Sequence, residues 1–89
     1  MKIGIDYDGV LSAEEDMFGE IISIIQKWGS EVKIVTSRST KFQHIESIAE
    51  KYGIETVYTS GYPKSRFYDA DVWIDDRPQT VHDGLSGKK

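Results

Sequence analysis

Apolar residues along the chain alternate between short unbroken runs and longer stretches at helical spacing, the pattern of strands interleaved with helices. Ile3-Gly4-Ile5 leads straight into Asp6, so Lys2 to Tyr7 reads as a short buried strand. From Glu14 the period lengthens. Met17, Ile21, Ile24, Ile25 and Trp28 share one helical face, acidic Glu14, Glu15 and Asp16 suit its amino end, and Gly29 suits a left-handed carboxyl cap. That predicts a helix of about three turns with this face on the core. Val32-Lys33-Ile34-Val35 is the next strand, ending in Thr36-Ser37-Arg38-Ser39-Thr40. Thr40 with Gln43 fits a capping box, and Phe42, Ile45, Ile48, Ala49 and Tyr52 then recur at helical spacing up to Gly53.

Glu55 to Tyr58 gives a third strand, Ser60-Gly61-Tyr62-Pro63 a loop, Lys64 to Asp69 a short helical stretch, and Val72-Trp73-Ile74 a fourth strand. After Arg77 apolar content falls away, and residues 79–89 read as a polar tail. The fold expected is α/β: a parallel sheet of about four strands with helices on both faces. With 89 residues the chain forms a single domain with a small core. Trp28, Tyr52, Tyr58 and Trp73 follow the structural periods and belong to the core, whereas Tyr7, Tyr62 and Phe67 fall near the strand ends.

Composition narrows the function. A net charge of −4 with no run of Lys or Arg before Lys88-Lys89 argues against an extended nucleic-acid footprint. No apolar stretch approaches membrane-spanning length, and the amino terminus lacks the basic-then-apolar pattern of a secretory signal. Zero cysteines exclude disulfides and thiol chemistry and agree with a cytoplasmic location.

The unusual polar residues cluster where the strands end. Asp6 and Asp8 follow the first strand, Thr36 the second, Lys64 precedes the last helical stretch, and Asp75 with Asp76 follow the fourth. Ligands of open parallel sheets bind beyond those carboxyl ends. Asp6 and Asp8, two apart on extended chain, point to a common side while Tyr7 turns away. Converging carboxylates call for a cation, and hard oxygens in an incomplete cage suit Mg²⁺.

These residues, in this order, resemble the haloacid dehalogenase (HAD) superfamily of phosphotransferases and phosphatases. Ile3-Gly4-Ile5-Asp6-Tyr7-Asp8-Gly9-Val10-Leu11 is similar to its first motif, Ile34-Val35-Thr36 to its second, Lys64 to its third, and Val72-Trp73-Ile74-Asp75-Asp76 to its fourth. The resemblance implies a Rossmann-like core and a Mg²⁺-dependent phosphatase. Asp6 would be the nucleophile that forms an aspartyl-phosphate and Asp8 the general acid and base. The metal would be held by Asp6, by Asp8 through its backbone carbonyl, and by Asp75 and Asp76, with the closer ligand of the last two left open. Thr36 and Lys64 would bind the phosphoryl group, with Ser37 and Arg38 as additions to that set.

Members acting on small metabolites usually carry a cap domain. This chain has room for none: about twenty-five residues join Asp8 to the second strand, most of them helix, and only Leu11 to Ala13 could act as a flap. An open crevice suits a phosphate on a nucleotide, a nucleic-acid end or a phosphoprotein, or a second subunit serving as the lid. Asp75-Asp76-Arg77-Pro78 is similar to the ending of small deoxyribonucleotidases and related phosphatases.

Taken alone each motif has a plain reading. Asp-x-Asp-Gly is more often a turn, a loop lysine more often solvated, and Arg66 competes with Lys64 for the same role. His44 reads as a surface or boundary residue and His82 as part of the tail. The joint order favours a site. A non-catalytic metal- or phosphate-binding regulatory module is the alternative on the same fold. A phosphate-accepting receiver domain fits less well, because Tyr58-Thr59-Ser60 offers no acceptor carboxylate after the third strand.

Overall fold

A computed structural model describes residues 1–82. Four strands, β1 (Lys2–Ile5), β2 (Glu31–Thr36), β3 (Glu55–Tyr58) and β4 (Val72–Ile74), pair in parallel in the order β3-β2-β1-β4. Two α-helices connect them, α1 (Glu15–Lys27) and α2 (Gln43–Tyr52). The α/β class and the parallel four-stranded sheet agree with the alternation of periods in the chain.

Register determines which face each side chain takes. Ile5 lies level with Ile34 and Ile74, and Ile3 with Val32, so these residues share one face. Ile22, Ile45, Ile48 and Ala49 close over it from the helices. Two successive right-handed crossovers running the same way put both helices on that face. They touch: the Gln26 Nε2 donates to the Tyr52 carbonyl at 2.9 Å. The return from β3 to β4 crosses the other face and carries only a 3₁₀ turn, Lys64–Arg66, so α-helical cover is one-sided. There Trp73 lies against Gly4, where a Cβ would overlap its ring, and Tyr68 meets Trp73 edge-on at 6.2 Å.

Several local expectations change. Helix α1 buries Gly19 and Ile22, with Phe18 and Ile25 packed on the core, while Met17, Ile24 and Trp28 are exposed. The sheet lies under a face rotated from the one that the apolar spacing selected. Trp28 is therefore outside the core. The capping box at Thr40 and Gln43 does not form; Phe42 is the amino cap without a side-chain bond, and the Gln43 amide donates to Ser47 at 3.3 Å. Leu11 is fully buried and Val10 nearly so, which anchors the stretch expected to flap.

Helical structure expected to Asp69 stops at Arg66. Within the stretch read as tail, Pro78–Thr80 forms a 3₁₀ turn, and buried Val81 accepts from the Ser65 amide at 2.7 Å. The rest of that tail, from residue 83, lies outside the described residues. Among the described residues no helix is long and apolar enough to cross a membrane.

Candidate active site

The strand order changes direction between β1 and β4, and Asp6 stands at that junction. Its amide donates to the Ile74 carbonyl at 3.0 Å, extending the ladder one residue past β1. Its carboxylate is buried and accepts at Oδ1 from the Tyr7 amide at 2.9 Å and from the Lys64 Nζ at 3.0 Å. The same Nζ donates to the Asp75 Oδ2 at 2.6 Å. Lys64 thus bridges two carboxylates, and all three side chains are almost removed from water.

One ammonium between two acids leaves the trio short of positive charge. Burial pushes the Asp6 carboxyl up to about 6 from 3.8; the Lys64 hydrogen bond and charge oppose that shift and the Asp75 charge adds to it. Asp75 is engaged at both oxygens, since Oδ1 accepts from the Arg77 amide at 2.8 Å. Asp76 is exposed and, among the described residues, has no hydrogen-bond partner for its carboxylate.

Asp6, Asp75 and Asp76 can each offer one oxygen within 4.8 Å of the others. Three carboxylates so placed could hold a metal ion. Gly9 makes room for them. Its φ of +85° is open to glycine at little cost, and a Cβ there would overlap the Asp76 carboxylate.

A cavity of about 150 Å³ opens above Asp6, lined by Asp8, Ser37, Lys64, Arg77 and Thr80 as well. Asp8 is exposed and faces it while Tyr7 turns into the core, as the two-residue spacing requires. Of the expected phosphate binders, Ser37 and Lys64 line the cavity. Thr36 and Arg38 do not. The fully buried Thr36 hydroxyl accepts from the Arg38 amide at 3.3 Å and so shapes the turn after β2.

Arg38 grips Asp8 with both arms of its guanidinium, Nε to Oδ2 at 3.1 Å and Nη2 to Oδ1 at 2.9 Å. It also stacks over Phe42 at 4.4 Å and Tyr7 at 5.6 Å. His44 is exposed, as expected, and pairs with Glu15 at 2.9 Å. Arg77 and Thr80 were not among the expected site residues. Their signal was available for Arg77, which follows the acidic pair directly, whereas Thr80 enters only because the chain turns back at Pro78.

A larger depression of about 350 Å³ lies at the opposite end of the strands, among Gln26, Glu31, Lys33 and Glu55. Its lysine is paired with Glu55 at 2.8 Å, and its Glu31 carboxylate accepts from the Tyr68 hydroxyl at 2.7 Å. Chemistry is concentrated at the carboxyl end. No family model, curated protein or solved structure matches the chain.

Proposed function

We propose that the chain is a Mg²⁺-dependent phosphomonoester phosphatase of the haloacid dehalogenase type, acting through an aspartyl-phosphate on Asp6. The observation that carries this reading is the buried Lys64 bridge between Asp6 and Asp75 at the floor of a cavity that Asp8 also lines. Burying three charges costs several kcal/mol each unless they pair well. A purely structural role would be served as well by apolar side chains.

The metal would be held by Asp6 and Asp76, with Asp75 and the Asp8 backbone carbonyl completing the protein's share. Asp76 is the more available of the adjacent pair, because both Asp75 oxygens already accept hydrogen bonds. When bound, Mg²⁺ draws charge off the phosphoryl oxygens.

Asp6 attacks phosphorus, forming the acyl-phosphate bond as the ester oxygen leaves, and Asp8 gives that oxygen its proton. Asp8 then takes a proton from water, which attacks the acyl-phosphate and releases phosphate with Asp6 regenerated. Lys64 holds Asp6 ionised and in place. Arg77 and Ser37 meet the phosphoryl oxygens.

The size of the cavity supports a substrate class. A cavity of about 150 Å³ falls below the ~300 Å³ at which small-molecule pockets begin, so it takes the phosphoryl group and leaves the remainder outside. That suits a nucleotide, a nucleic-acid end or a phosphoprotein.

The test is phosphate release from a panel of these esters, with Mg²⁺ and with chelator, for the parent and for Asp6→Asn. Metal-dependent release that Asp6→Asn abolishes is expected. Equal release by both proteins would overturn the assignment, and binding of phosphorylated ligands without release would replace it with a non-catalytic module.

A further inference from the structure

We propose that the chain pairs with a second copy of itself through the outer face of α1, the two helices running antiparallel about a twofold axis. Met17, Ile21, Ile24 and Trp28 recur at intervals of four, three and four residues, so they form one straight stripe along the helix. Neighbouring contacts fix its direction. Gly19 and Gln26 meet Tyr52 of α2, while Phe18, Ile22 and Ile25 point into the core. The stripe lies on the side of α1 opposite α2. Because α2 sits toward β3, that side looks over the edge strand β4, whose Val72 is also exposed.

The area matches what a dimer needs. Met17, Ile24, Trp28 and Val72 are 48, 55, 81 and 41% exposed; with ~150–250 Å² for a whole aromatic and less for an aliphatic, they leave on the order of 450 Å² of mostly apolar surface. A standard interface takes about 800 Å² from each partner, somewhat over half of it apolar. One shelf from each copy supplies that share. The chain's own last residues do not: 83–89 hold a single large apolar side chain, Leu85.

Charge selects the orientation. Glu20 and Lys27 lie on the same flank of the stripe, two helical turns apart. Antiparallel pairing about a twofold near Ile24 sets Glu20 of each copy near Lys27 of the other, whereas parallel pairing about a twofold puts the two flanks on opposite sides of the seam and leaves these charges without cross-partners. The helix dipoles also oppose favourably. The two crevices then point to opposite ends of the pair, so neither is roofed by the other copy, and the pairing stands apart from the phosphatase reading.

Sedimentation velocity and light scattering on the full chain, from micromolar to hundreds of micromolar, should give twice the 10.1 kDa chain mass at the upper end. Trp28→Glu and Ile24→Glu should each return a single-chain mass, with circular dichroism reporting an intact fold. Glu20→Lys and Lys27→Glu should each weaken pairing by about tenfold or more, and the two together should restore it. A single-chain mass throughout, an assembly larger than two, a dimer that survives Trp28→Glu, or a double variant as weak as either single would each overturn the proposal.

Discussion

Lys64 and Asp6 are 58 residues apart in the chain, yet the ammonium lies 3.0 Å from the carboxylate with both side chains almost dry. Lys64→Met would leave Asp6 and Asp75 facing one another without a cation. We expect a loss of about 3–5 kcal/mol in unfolding free energy at neutral pH, the usual result of orphaning a buried charge. Urea unfolding at pH 7 and at pH 5 measures it, and the loss should be smaller at pH 5, where a proton can take the place of the ammonium. A change below ~1 kcal/mol at both values would deny Lys64 this role.

The Asp6 carboxyl, raised by burial to about 6, makes the metal-free protein less stable as pH rises. The native state holds its proton more tightly than the unfolded chain, so the stability it contributes is full below about 3.8 and is lost as pH passes through about 6. Between pH 4.5 and 7.5 the loss should be roughly 2 kcal/mol. Asp6→Asn removes it, so the variant should gain stability relative to the parent as pH rises across that range in chelator. A pH-independent difference would contradict the assignment.

Millimolar Mg²⁺ should raise the melting temperature by several degrees through mass action on the native state. Asp76→Ala should remove that response and cost little stability in chelator, because its exposed carboxylate has no hydrogen-bond partner among the described residues. Asp75→Ala should cost stability in chelator too, since Lys64 and the Arg77 amide both lose an acceptor. Thermal melts with and without metal separate the two roles.

Gly9→Ala brings together two penalties, a positive φ and an overlap with the Asp76 carboxylate. We expect a destabilisation of about 1–2 kcal/mol and a weakened Mg²⁺ response. Gly29, which has a similar φ of +83° and open space around it, is the control: Gly29→Ala meets the first penalty alone and should leave the metal response intact.

Under the proposed phosphatase mechanism Arg38 would have to release Asp8 before that carboxyl could donate a proton, and a phosphate on an incoming substrate would be a competing acceptor for its fork. Arg38→Gln should raise KM by about tenfold while changing kcat by only a few-fold. Steady-state kinetics on whichever ester proves active decides this. A large fall in kcat with unchanged KM would instead make Arg38 a group that orients Asp8.

Where sequence periodicity failed, the reason is visible in α1. Ile21, Ile22, Ile24 and Ile25 spread over about half the circumference of the helix, so two adjoining faces qualify and spacing alone cannot choose. Contact with Tyr52 and with the sheet selects the Phe18, Ile22 and Ile25 face and leaves Met17, Ile24 and Trp28 outside. The absent capping box has a similar origin. Phe42 takes extended angles and its amide is bonded by the Tyr58 hydroxyl at 3.1 Å, so α2 begins past Thr40.

By itself the sequence determined the alternation of strands and helices, the parallel sheet, and the convergence of Asp6, Asp8 and Asp75-Asp76 at strand ends. Those follow from local periodicity and from the two-residue repeat of extended chain, which need no knowledge of neighbours. Only the tertiary structure decided that Lys64 is buried between Asp6 and Asp75, that Arg38 grips Asp8 instead of entering the cavity, and that Arg77 and Thr80 do line it. Each of these depends on which distant side chains compete for the same carboxylate, and burial, set by the whole fold, strengthens the pairings of the winners.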